Sequence, residues 1–301
     1  MEPFPLKLNT LFFSLLTTAS LYAAPTTCSN IYLGNTAPDF INTKLSAKTQ
    51  ELCYKEFAVM HSGVSRTPLW SAEHLTRNML DGKAERSNEF HPEARLSRDV
   101  RAELNDYAHS GFDRGHMSPS ADFVDPQSNN ECFTLANMVP QNHNNNAGLW
   151  AAIEGATRFI AKKHGEVYVI TGPIFDGGKV ERINGRVFIP TKLFKAIYAP
   201  SLNQAAAYVT LNAPGNNYQV MSITELEKLT GLNLFPKLSP DVKNHVMSLP
   251  VPKGSHGGDS YTESTLGNQS QVAQTTTQNS SHSNSFLDKL ERKIHNFNKG
   301  Y

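Results

Sequence analysis

The sequence predicts an α+β fold, and three observations carry that expectation. The first is a pair of β-rich runs, residues 54–62 and 67–75, joined around Gly63 as a hairpin. The second is one long helical pattern that opens at Asn146 and stops at Gly165. The third is the series of short strand-like runs behind it, residues 166–171, 186–189, 193–198 and 205–211, separated by Gly, Pro and Asn turns. Strands grouped on either side of a helix, in this order, place the chain in the α+β class as one domain.

Taken from its start, the chain carries Lys7 and then an apolar run, residues 11–24, interrupted by Ser and Thr and ending in Ala23-Ala24 before Pro25. The run is too short to span a bilayer as a stable helix, and its small final residues suit a signal peptidase. Residues 1–24 are therefore expected to be a secretory signal peptide, and the protein to be exported, periplasmic or secreted. An uncleaved N-terminal anchor is the alternative, and no other segment is apolar enough to cross a membrane. Removing Glu2 and Lys7 together leaves the formal net charge at +1, which argues against a generic nucleic-acid coat. Export permits disulfides, and Cys28, Cys53 and Cys132 allow one bridge with one thiol over. Cys28–Cys53 is the preferred pair, because it would pin residues 29–49 onto the first strand. Cys132 then reads as a small buried hydrophobe.

Residues 76–111 are basic and irregular, with Arg77, Lys83, Arg86, Arg95, Arg98 and Arg101 among them. Such clustering is compatible with a phosphate-binding cleft and equally with a solvated loop. Directly after it comes Phe112-Asp113-Arg114-Gly115-His116-Met117-Ser118-Pro119. Here a cation, a flexible backbone position and an imidazole that can accept and return a proton near neutral pH share one short turn or strand end. Thirty positions on, Asn146 offers a neutral amide oxygen, a hard ligand suited to Mg²⁺ or Mn²⁺, and eight further on Glu154 adds a carboxylate. At roughly 100° per residue, Asn146, Glu154 and Arg158 fall along one side of a helix. Leu149, Ile153, Ala156 and Ile160 form a second, apolar stripe, and Lys162, Lys163 and Gly165 close the helix. Trp150 reads as core. Together these residues read as a phosphodiesterase site.

In Asp113-Arg114-Gly115-His116, in residues 135–141 (Leu-Ala-Asn-Met-Val-Pro-Gln) and in Asn146-x-Gly148-x-Trp150-x-x-x-Glu154-x-x-x-Arg158, the chain resembles the DNA/RNA non-specific endonucleases of the ββα-metal superfamily. The resemblance runs from about residue 53 to about residue 252. It implies a central, mostly antiparallel sheet flanked by helices, with a ββα-metal catalytic motif, and a domain at residues 25–252. It also implies metal-dependent cleavage of DNA and RNA, indifferent to sequence, to 5′-phosphate products. His116 is expected to be the general base and Asn146 to bind Mg²⁺, with Mn²⁺ as a substitute and Glu154 holding metal-bound water. Arg86, Arg114 and Arg158 are expected to neutralise charge on the phosphorus, although Arg114 could instead pair with Asp113 or pack beneath the turn. Asn137 resembles a second asparagine of the family and is expected to hold the loop or orient a catalytic group; Asp113 is expected to be structural. DNA and RNA are the expected partners, through phosphate contacts, and a homodimer is compatible with the resemblance.

Further along, residues 222–225 form a capping box that opens a helix through Leu229, closed by Gly231. Residues 253–285 turn to Gly, Ser, Thr, Gln and Asn and are expected to be a disordered polar linker. Residues 286–301 place Leu287, Leu290, Ile294 and Phe297 on one face and are expected to be an amphipathic helix, docking on its own domain or a partner, or associating with a membrane or nucleic acid. Three rival functions stay in view. One is an exported nucleic-acid-binding protein without catalysis, and another a phosphodiesterase of small molecules. The third, a zinc enzyme, is disfavoured because neither H-E-x-x-H nor Cys-x-x-Cys occurs.

Overall fold

Strands β1 (Thr49–Cys53), β2 (Phe57–Ser62) and β3 (Thr67–Thr76) pair in succession and antiparallel. A separate antiparallel hairpin follows, β4 (Asp113–His116) with β5 (Met138–Gln141). The chain then returns to the main sheet through β6 (Glu166–Ile174), β7 (Lys192–Ala199), β8 (Gln204–Leu211), β9 (Asn217–Met221) and β10 (Thr262–Glu263). The main sheet has eight strands in the order β10-β9-β8-β7-β6-β3-β2-β1, and only the β9–β10 pairing is parallel. This computed structural model describes residues 26–266 apart from 29, 83–84, 178 and 255–259. The expected signal peptide, the expected C-terminal helix and much of the expected linker lie outside the described residues.

Helices cover both faces of the mostly antiparallel sheet. On one face, helix α1 (Ala151–His164) packs Ile153, Ala156 and Ile160 on Leu75, Val167, Val169, Leu193 and Ile197. On the other, Ile223 and Leu226 of helix α2 (Ile223–Thr230) join Trp70, Phe194, Ala196 and Val209. Strand β7 is buried along its whole length, its two lysines included. The α2 capping box is formed, with Ser222 and Glu225 bonding each other's backbone N–H, and Gly231 ends the helix at φ 72°. At the end of α1, Arg77 donates to the carbonyls of Lys162 and Lys163 at 2.7 and 3.3 Å, so this arginine serves as a helix cap.

Three parts of the fold depart from the sequence expectation. Residues 186–189 contribute Val187–Phe188, which pairs with Arg182–Ile183 as a small separate hairpin and not as part of the central sheet. Strands β1 and β9 were not predicted, because half-exposed strands carrying Thr49, Gln50, Glu51, Asn217 and Gln219 show no apolar run. The expected linker begins too early: Tyr261 is buried in the core under α1, and β10 pairs with β9. One aromatic ring anchors a stretch whose average composition is polar.

Cys28 and Cys53 are bridged across 25 residues, and Cys132 is a buried free thiol. Closing a loop of that length removes about 3 kcal/mol of unfolded-state entropy. Replacing both cysteines by alanine is therefore expected to lower unfolding stability by about 3 kcal/mol in urea titrations, with reductant doing the same to the parent.

Candidate active site

The site grows out of the β4–β5 hairpin and the helix that follows it. Gly115 on β4 has no room for a side chain: a Cβ there would lie 1.9 Å from Oε1 and 2.6 Å from Cβ of Gln141 on β5. Gln141 is itself held, since its Nε2 donates to Asn145 Oδ1 at 2.8 Å, and Asn145 donates on to Thr210 at 3.3 Å. Asn145 immediately precedes Asn146, so pressure at residue 115 would be passed along to it. Gly115→Ala is expected to cost about 2 kcal/mol in denaturant titrations and to depress activity at least tenfold, with overpacking as the cause.

His116 ends β4 and is buried, with its ring edge-on to Phe133 at 4.8 Å and tilted against Phe90 at 5.7 Å. Its Nε2 has no hydrogen-bond partner. Burial, with Arg86 and Arg114 adding to it, pushes the imidazole pKa down to about 3, so the ring is neutral across the physiological range. The strand end is fixed from behind. Asn137 is fully buried; its Oδ1 accepts from Ser118 N at 3.0 Å while its Nδ2 donates to Ser118 O and Cys132 O at 2.8 and 2.9 Å. That geometry is a loop clamp, one of the two roles expected of Asn137.

Asn146 opens a π-type turn, Asn146–Trp150, which leads directly into α1. The sequence predicted plain α-helical spacing from this point; wider turns of this kind recur at functional sites. Asn146 Nδ2 donates to Asp113 Oδ2 at 2.9 Å, and the same oxygen lies 2.9 Å from His143 Nδ1. With the amide nitrogen held there, the amide oxygen is the end left for a cation. Asp113 is thus structural in a specific sense, since it orients Asn146. Glu154 lines the same cleft, and burial, together with Asp122, raises its carboxyl to about 7 against the lowering pull of Lys195, Arg158 and Arg86.

The cleft has a volume of about 640 Å³ and gathers Arg86, Arg114, His116, Asn146 and Glu154 in its lining. Arg114 stacks its guanidinium 4.0 Å over the Phe90 ring and is exposed to solvent, neither paired with Asp113 nor packed beneath the turn. Arg86 donates to Ser120 Oγ at 2.6 Å and to Asn88 Oδ1 at 2.7 Å, with its guanidinium 4.9 Å over Phe133. Arg158 corrects an expectation. It is not among the residues lining the cleft; its Nη1 bonds the buried Asp122 at 2.7 Å, which makes it part of the wall behind Glu154. Arg95, Arg98 and Arg101 are ion-paired with Glu93 and Glu103; Arg98 is solvated, while Arg95 and Arg101 also donate to backbone carbonyls and brace the loop.

The sequence profile of the DNA/RNA non-specific endonucleases matches residues 37–241. The chain belongs to that family. It is 37% identical over 207 residues to "Nuclease EXOG, mitochondrial" of Danio rerio, covering 62% of this chain and 60% of that protein. Against "Nuclease C1" of Cunninghamella echinulata var. echinulata it is 34% identical over 61% of this chain and 82% of the relative. Against "Nuclease" of Nostoc sp. it is 28% identical over 75% and 87% respectively. The chain thus spans about three fifths of the length of the Danio rerio relative. Among solved structures, that of the EndoG/EndoGI complex superposes with a TM-score of 0.60 at 24% identity, covering 64% of this chain and 88% of that one, a likeness of fold.

The DNA/RNA non-specific endonuclease family depends on a divalent metal, and the residues here suit one. An oriented neutral amide oxygen and a carboxylate in one cleft form a hard, oxygen-only donor set. Of the groups that complete this site, Phe90 was the least visible in the sequence, whereas Asp113 lies inside the motif and only its bond to Asn146 was unforeseen. No local pattern marks Phe90, which supports both Arg114 and His116 from 24 residues upstream of Arg114.

Proposed function

We propose that the protein is a metal-dependent, sequence-non-specific endonuclease that hydrolyses phosphodiester bonds of DNA and RNA and leaves 5′ phosphates. The observation that carries this reading is the buried, unpartnered Nε2 of His116 in the wall of the cleft that also holds Asn146, Glu154 and two arginines. His116 takes a proton from water at Nε2 as the water oxygen attacks phosphorus. Arg114, on the solvent side of its Phe90 platform, binds a non-bridging phosphate oxygen, and Arg86, over the neighbouring Phe133 ring, holds another. Both cations also keep the imidazole unprotonated. Asn146 would bind Mg²⁺, or Mn²⁺ in its place, with Glu154 acting through water. That ion supplies Lewis acidity to the phosphoryl group and stabilises the departing 3′ oxygen. Phosphate contacts of this kind carry no sequence information, which supports indifference to sequence.

Export to the periplasm or medium is part of the proposal, supported by the apolar N-terminal run and by the Cys28–Cys53 bridge, since disulfides persist in oxidising compartments. Among the described residues no helix is long and apolar enough to cross a membrane. The function is tested by incubating the purified protein with supercoiled plasmid and with total RNA, in Mg²⁺ and in EDTA. Both polymers should be degraded with metal and both spared without it. Binding that leaves them intact in several divalent metals would overturn the enzyme reading in favour of a nucleic-acid-binding protein.

A further inference from the structure

The face of the sheet beneath α1 is apolar except for one polar row and the buried Glu73, two residues beyond Ser71 on β3. Ser71 on β3, Thr171 on β6 and Lys195 on β7 are direct register partners across three adjacent strands, and all three are fully buried. The row meets the far side of the strand end that carries His116. Ser71 Oγ and Ser118 Oγ lie 2.6 Å apart. Lys195 Nζ donates to Thr171 Oγ1 at 2.7 Å and to the Met117 carbonyl at 3.3 Å. The same ammonium stands 5.6 Å from the centroid of Trp150, whose indole N–H donates to the His116 carbonyl at 3.4 Å. Three consecutive residues, 116 to 118, are therefore tied to the sheet and to α1's leading turn by this row and its neighbour Trp150.

A buried ammonium is a costly way to hold a backbone carbonyl, because the charge has left water, and here the nearby Glu73 and Glu154 carboxylates offset part of that cost. Its strength is direction: Thr171 fixes where the ammonium sits, and the ammonium fixes where Met117 sits. We propose that Lys195 is a positioning residue, holding the main chain at Met117 so that the His116 imidazole keeps its place in the cleft wall. The proposal rests on the reading of His116 as the base.

Lys195→Met and Thr171→Val test it, with His116→Ala alongside. The readouts are kcat and KM on a nucleic-acid substrate, the thermal midpoint, and the His116 imidazole signal in ¹H–¹³C spectra of the metal-free protein. Its position between Phe90 and Phe133 sets that signal apart. Lys195→Met should lower kcat by about tenfold to a hundredfold at unchanged KM and shift the His116 signal. Thr171→Val, which keeps the lysine and removes its acceptor, should move kcat and the signal in the same direction by a smaller amount, and decides the matter if Lys195→Met does not fold. Unchanged kcat and an unshifted signal in either folded variant, while His116→Ala is inactive, would overturn the proposal. So would a kcat loss that follows a lowered midpoint with the signal unmoved. A fully active His116→Ala would remove the base reading and this proposal with it.

Discussion

Replacing His116 by alanine is expected to lower kcat by about 10²- to 10⁴-fold while nucleic-acid binding persists, because Arg86 and Arg114 remain in the cleft. The burial that keeps this ring neutral also sets its pH behaviour. With the pKa held near 3, His116 stays unprotonated at pH 5, where an ordinary histidine would be mostly charged. Its carbon-bound ring proton should therefore show no titration step between pH 8 and 4, and an inflection near 6.5 would show that the ring is not enclosed as described. Linkage gives a second reading of the same fact. Below pH 6.5 the unfolded chain takes up a proton that the folded ring refuses, so stability falls as pH falls, until the folded pKa is reached. His61 behaves alike: its Nε2 donates to the Val100 carbonyl at 2.9 Å, and burial pushes it down to about 4. Each ring should cost about 1.4 kcal/mol per pH unit between 6.5 and its folded value, and His61→Gln should remove its share of that slope in urea titrations at pH 7, 6 and 5.

Asn146→Ala should be the second severe lesion, with activity down at least about a hundredfold and Mg²⁺ affinity lost in calorimetric titration, since the substitution removes the one neutral oxygen donor of the pair. Asp113→Ala separates orientation from ligation. Asn146 keeps its oxygen but loses the carboxylate that holds its nitrogen, so metal affinity should weaken about 10- to 100-fold and recover in part at high Mg²⁺. Equal, irreversible losses in the two variants would mean that Asp113 does more than orient the amide.

The comparison of these residues shows what a linear sequence carries. Asp113 to His116 and Asn146 to Glu154 were legible because chemistry and spacing coincide within short segments, and the apolar stripe of α1 was legible because helical periodicity is local. The α2 capping box and the Cys28–Cys53 pairing were legible for similar reasons. Arg158 was assigned to the phosphate because it lies one turn beyond Glu154, yet a buried carboxylate 36 positions upstream draws it away. Phe90 beneath Arg114, the Asp113–Asn146 bond and the Ser71–Thr171–Lys195 row each depend on how separate strands are registered. No window of sequence contains that information. Tyr261 failed for the opposite reason, as a single anchoring residue diluted by its surroundings.

That tyrosine has a bearing on when the site is finished. Tyr261 packs into the core under α1, and a Cβ at Gly148, inside the turn that begins with Asn146, would lie 3.7 Å from its hydroxyl. The turn that opens with Asn146 is therefore backed by a segment beyond both the last helix among the described residues and the stretch matched by the family profile. During synthesis, every strand from β1 to β9 and both major helices leave the ribosome before this contact can form. A chain made only as far as residue 260 lacks the backing of the turn that carries Asn146, so that turn is completed after the strands β1 to β9 and both major helices have been made.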